Sequence, residues 1–157
     1  MTRLLPRPVV LLVEDSDDDA FLFRRALRLS GFACDLAHVV DGGEAVAHLE
    51  KARRGGGDAP PWPNLVFLDL KIPTLSGFEV LQWVRQQDFA PPLDIAVLSG
   101  SEHSGDVTRA MSLGATAYYV KPILVQQLKA RFAGWQETHA PRSVGELHAA
   151  AGPDRPV

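Results

Sequence analysis

Cysteine is almost missing from this chain: Cys34 is the only one in 157 residues. No internal disulfide can form, and the composition suits a reducing compartment. Long hydrophobic runs are missing too, and none approaches the ~20 residues that a membrane span requires. Arg3 and Arg7 give the N-terminus some positive charge, but the apolar run after Pro8 ends at Glu14. It has neither the length nor the cleavage pattern of a secretion signal. A cytoplasmic protein with no membrane partner is therefore expected. Positive charge is not in excess either. With a formal net charge of -3 and no basic helix or reading module, no nucleic-acid partner is expected. The histidines His38, His48, His103, His139 and His148 are scattered and suggest no metal set. No internal repeat and no second domain is visible.

What is present is ordinary in bulk, with 46% hydrophobic and 22% charged residues, and informative in its order. The chain alternates short apolar runs with segments of helical period. Val9–Val13 is the first run and ends in Glu14-Asp15. Ser16 to Asp19 cap a helix that carries Leu22, Phe23, Ala26 and Leu27 and stops near Ser30-Gly31. On this reading Asp17, Asp18 and Asp19 form a solvated helix start. A weaker strand covers about 33–39, and Asp41-Gly42-Gly43 turns the chain into a helix with Ala45, Val46 and Leu49. Residues 53–63, rich in glycine and proline, form a loop longer than most such connections.

Asn64 to Pro73 is the centre of the pattern. Leu65, Val66, Phe67 and Leu68 run unbroken into Asp69, as in a strand buried on both faces of a parallel sheet. A helix opens at Ser76-Gly77, a fourth strand spans Leu93–Leu98 and ends at Ser99-Gly100, and a further helix covers about 104–113. Ala117–Val120 is a fifth strand closed by Lys121-Pro122. The last helix, about 123–137, bears the stripe Leu124, Leu128, Phe132 and Trp135. Five strand–helix units imply an α/β fold, doubly wound around a parallel sheet. The expected layout is an N-terminal extension over 1–7, one domain over 8–137 and a flexible C-terminal tail over 138–157.

In such a sheet every strand ends at one edge, where ligand sites lie. That edge receives Glu14 and Asp15, then Asp69, Ser99 and Lys121. Two carboxylates ~5 Å apart repel by about 3 kcal/mol at an effective dielectric near 20, so three require protons or a cation. Hard oxygen donors favour Mg²⁺, and a lysine suits a phosphoryl oxygen. The set points to phosphoryl transfer with an Asp carboxylate as nucleophile. Each residue also has a plainer role: Glu14, Asp15 or Asp69 as helix caps, Ser99 as turn chemistry, Lys121-Pro122 as a helix start, and Tyr118 as core.

Val13-Glu14-Asp15, Leu68-Asp69 with Pro73 and Gly77, Leu98-Ser99-Gly100 and Tyr118-Tyr119-Val120-Lys121-Pro122 resemble the receiver domains of two-component response regulators. The resemblance covers about 8–137. It implies a flavodoxin-like (βα)5 fold with strand order 2-1-3-4-5 and phosphorylation of Asp69 by a sensor histidine kinase. It further implies Mg²⁺ held by Glu14, Asp15, Asp69 and the Lys71 main-chain carbonyl. Ser99 would bond the phosphoryl group, Lys121 would neutralise it, and Tyr118 would be the switch aromatic. The Lys121-Pro122 bond is commonly cis in that family. The run Leu-Val-Glu-Asp-Ser-Asp-Asp-Asp, the long loop and the aromatic last helix resemble the regulators paired with phytochrome kinases, which often dimerise through the last helix. Few residues follow that helix, so a regulator signalling to a downstream protein by contact, and forming a homodimer, is expected. Two alternatives are a small phosphohydrolase with an Asp nucleophile and a degenerate receiver that only binds. The first places a second Asp two residues after the nucleophile, where this chain has Lys71.

Overall fold

The computed structural model describes residues 7–139. Residues 1–6 and 140–157, which hold nearly all of the expected extension and tail, lie outside the described residues. Strands β1 (Val9–Val13), β2 (Asp35–Val39), β3 (Leu65–Leu68), β4 (Ile95–Ser99) and β5 (Ala117–Val120) alternate with five helices. These are α1 (Asp17–Leu29), α2 (Gly42–Arg54), α3 (Gly77–Gln86), α4 (Ser104–Ser112) and α5 (Val125–His139). The sheet is parallel, in the order β2-β1-β3-β4-β5. That is the expected 2-1-3-4-5.

Strand alternation divides the core into two layers. Leu11, Val13, Val66, Leu68, Ile95 and Val97 pack with residues of α2, α3 and α4. Val10, Leu12, Leu65, Phe67, Ala96 and Leu98 pack with residues of α1 and α5. The central strands are buried on both faces, which explains their unbroken apolar runs. Helix starts are fixed locally. The side chains of Ser16, Asp41 and Ser76 each accept a hydrogen bond from the third residue of their helix, and Glu79 completes a capping box with Ser76.

Several boundaries differ from the sequence reading. β2 begins at Asp35 and β4 at Ile95, each two residues later than expected. Helix α2 runs to Arg54 because its last turn carries Lys51, Arg53 and Arg54, which suit the negative end of the helix dipole. The loop that follows is fastened: Trp62 meets Phe89 edge-on at 5.0 Å between ring centroids, and the Arg53 guanidinium lies 5.6 Å from the same ring. The stripe on α5 also resolves differently. Leu128 and Phe132 are buried, with Phe132 stacked on Phe32 at 3.9 Å, and Trp135 meets Phe32 edge-on at 6.0 Å. Leu124 precedes the helix and is exposed. The stripe therefore goes largely to the domain's own core.

Candidate phosphoacceptor site

Register places the acids. Val13 pairs with Leu68 across β1 and β3, so the next residues, Glu14 and Asp69, leave the sheet side by side. The Asp69 N–H donates to the Val13 carbonyl at 3.1 Å, and the Glu14 N–H donates to the Val39 carbonyl at 3.0 Å. Both acids lie two residues beyond core positions of the α1/α5 layer, Leu12 and Phe67. They therefore emerge on the side where α1 begins and Lys121 arrives from β5. The Lys121 N–H donates to the Ser99 carbonyl at 2.8 Å, and the Lys121-Pro122 bond is cis, as expected.

Lys121 lies at the centre. Its ammonium donates to Asp69 Oδ2 at 2.8 Å, to Glu14 Oε1 and Oε2 at 2.8 and 3.0 Å, and to Asp19 Oδ2 at 2.9 Å. Glu14 and Asp69 are buried, while Asp15 is exposed. One carboxylate oxygen from each of Glu14, Asp15 and Asp69 lies within 4.8 Å of the others. Three hard oxygen donors at that spacing, one of them open to solvent, fit a divalent cation that keeps part of its hydration.

The electrostatics follow from this crowding. Burial, then the neighbouring Asp69, pushes the Glu14 carboxyl up to about 8, although Lys121 pulls the other way. Burial alone would lower Lys121, but its hydrogen bonds to Asp69, Glu14 and Asp19 outweigh that and raise it. The hydrogen bond from Lys121 holds the Asp19 carboxyl below its ordinary value.

Glu14 and Asp15 are not the cap of α1, since Ser16 fills that place. Nor does Asp69 cap α3, whose cap is Ser76. Pro122 precedes α5 by three residues. Ser99 is buried at the end of β4, and its hydroxyl accepts the Ser101 N–H at 3.1 Å, a turn bond that leaves the Ser99 O–H proton uncommitted. Tyr118 is half-buried against the α2–α4 layer, and its hydroxyl donates to the Ser101 carbonyl at 2.8 Å. The Lys71 N–H donates to Asp69 Oδ1 at 3.2 Å, tying the loop after β3 to the acid. Gly77 lets α3 pack beneath that loop, because a Cβ there would overlap the Asp69 carbonyl and the Leu70 Cα.

Asp19 is a correction. It is the third residue of α1, a position that ordinarily reads as a partner for the helix dipole. Its N–H is bonded by Ser16 Oγ at 3.3 Å, while its carboxylate turns to Lys121. His38 also joins the periphery: its Nε2–H donates to the Glu14 carbonyl at 2.8 Å, and Arg24 donates to its Nδ1 at 3.1 Å.

The chain belongs to the response regulator receiver domain family, whose model matches residues 10–133. It is 31% identical over 140 residues to the probable methanogenesis regulatory protein FilR2 of Methanothrix harundinacea, covering 85% of this chain and 88% of that one. To the response regulator Rcp1 of Synechocystis it is 33% identical over 137 residues, 85% of this chain and 92% of the other. Among solved structures, the response regulator RPA3017 in red light signaling of R. palustris superposes with a TM-score of 0.74 at 32% identity, covering 87% of this chain and 99% of that one. The Mn²⁺-bound form of Rcp1 superposes with a TM-score of 0.69 at 30% identity, covering 88% and 100%. The protein is thus a two-component response regulator, a signalling protein of the kind that resembles phytochrome-paired regulators. The phosphohydrolase alternative is not favoured.

Proposed function

We propose that Asp69 accepts a phosphoryl group from a sensor histidine kinase, with Mg²⁺ bound by Glu14, Asp15, Asp69 and the Lys71 main-chain carbonyl. One observation carries this reading: Asp69 emerges from β3 between two acids and an ammonium that donates directly to it. In the transfer, the P–N bond of the kinase phosphohistidine breaks as a bond forms between phosphorus and an Asp69 carboxylate oxygen. The P–N electron pair stays with the imidazole. A bound Mg²⁺ offsets the negative charge that the carboxylates and phosphoryl oxygens bring together.

The chain's own residues do the rest. Lys121 donates to a phosphoryl oxygen. Ser99 turns its free O–H proton toward another, and in moving it disturbs the Ser101 N–H bond. Because Ser101 also accepts from Tyr118, the displacement reaches the aromatic ring through one residue. The ligand thus biases two states through contacts that differ between them. Lys71 and Ser101 flank the path of the water that later removes the phosphoryl group, so the chain dephosphorylates itself and turns over no other substrate.

The receiver spans about 8–137 and works in the cytoplasm, a placement supported by its lone Cys34. Its negative charge supports protein partners rather than nucleic acid or membrane. The relative named for red light signaling supports a bacteriophytochrome as the kinase. Exposed Leu124, immediately before the last helix, supports a homodimer formed at the start of that helix. Light scattering should show a dimer that Leu124→Glu weakens, and monomer alone at tens of micromolar would refute it. The phosphoacceptor role is tested with a radiolabelled small phosphodonor and Mg²⁺. Wild type should take up acid-labile label that Asp69→Asn lacks, and equal labelling of the variant with the same acid lability would overturn the assignment.

A further inference from the structure

A lysine ammonium has three protons, and Lys121 spends them on three carboxylates: Glu14, Asp19 and Asp69. Two of these partners do not themselves accept the phosphoryl group. Glu14 is fixed at the end of β1, and Asp19 is fixed in the first turn of α1. With two protons directed at Glu14 and Asp19, the third must point at Asp69. We infer that Asp19 is a positioning residue, whose carboxylate anchors Lys121 so that its remaining proton is aimed at the phosphoryl group on Asp69.

The inference rests on Asp69 being the phosphoacceptor, and it goes beyond the acid and lysine set that the sequence offered. The geometry explains why a second anchor is needed. A lysine side chain is long and freely rotating, and the carboxylates that hold this one come from the strand ends and α1. Glu14 alone holds the ammonium through both of its oxygens, which leaves rotation about that pair unconstrained. Asp19 lies on a separate element, so its bond removes that freedom. The Asp19 side chain is 38% exposed and that of Lys121 is 13% exposed. The pair is thus partly desolvated, and the anchor is adjustable rather than locked.

The test is the affinity of the full chain for beryllofluoride, a phosphoryl mimic, by titration calorimetry at saturating Mg²⁺. Asp19→Ala should weaken it about three- to fivefold, the scale of a partly exposed ion pair. Asp19→Asn, which keeps a carbonyl acceptor, should fall between. In a Lys121→Ala background the Asp19→Ala change should no longer weaken binding, because its effect passes through the lysine. A second readout avoids any fold loss in the double variant. The Lys121 ammonium resonance, observable by ¹⁵N NMR in wild type, should broaden in Asp19→Ala. Unchanged or tighter binding in Asp19→Ala, equal weakening in both backgrounds, or an ammonium signal as sharp as wild type would overturn the inference. Wild type that binds no beryllofluoride would instead remove the phosphoacceptor reading beneath it.

Discussion

Mg²⁺ binding should release a proton from Glu14, and the affinity should therefore climb with pH. Burial and Asp69 push the Glu14 carboxyl from 4.5 up to about 8, so it is protonated near neutrality when no cation is bound. A protonated carboxyl is a poor ligand for a hard cation, and the proton must leave on binding. If only the ionised form binds, raising the pH from about 6 to about 8 strengthens Mg²⁺ binding by up to about fiftyfold, with little gain above about 9. Calorimetry in two buffers of different protonation enthalpy counts the protons. Close to one per ion is expected near pH 6, falling toward none at high pH. Glu14→Gln should weaken the site, flatten the profile and abolish the release. Equal affinity at both pH values, or undiminished release from Glu14→Gln, would refute the reasoning. The same shift has a stability sign. The folded state holds a proton that the unfolded chain gives up between 4.5 and about 8. Metal-free stability must therefore fall as pH rises through that window, and saturating Mg²⁺ should remove the fall.

Other expectations concern single residues. Lys121→Ala strands the buried Asp69 without its ammonium and should cost about 2–4 kcal/mol in metal-free urea unfolding, and more above a pH of about 8 where Glu14 also loses its proton. Gly77→Ala forces a Cβ against the Asp69 carbonyl and should cost about 1–3 kcal/mol while weakening Mg²⁺ binding, measured by melting and calorimetry. Lys71→Asn should change the half-life of the phosphorylated protein about several-fold without blocking its formation, since a lysine can screen the phosphoryl group as a point charge. An unchanged decay rate would place Lys71 away from the attacking water.

The fold was readable because β1, β3 and β4 are buried on both faces, and their apolar runs stop abruptly at Glu14, Asp69 and Ser99. Parallel register then carries those three, with Lys121, to one edge without any side-chain detail. Edges of elements were less legible. Nothing in the residues around Ala33 or Leu93 says at which pair the ladder begins, since that depends on the partner strand. Asp19 was misread for a physical reason: at the third position of a helix an acid already has a use, and its bond to Lys121 spans 102 residues of sequence. The stripe on α5 was real, but which side it serves was settled by Phe32, whose ring stacks on Phe132. Period alone identifies an apolar face and leaves its partner undefined.

The most direct measurement locates the phosphoryl group itself. Wild-type protein is treated with a small phosphodonor and Mg²⁺, reduced with borohydride and mapped by peptide mass spectrometry. Borohydride converts an aspartyl phosphate to homoserine with loss of inorganic phosphate. The account predicts homoserine at position 69, none after Mg²⁺ chelation and none in Asp69→Asn. Homoserine at another acid, or none at 69 in protein that carries label, would contradict it.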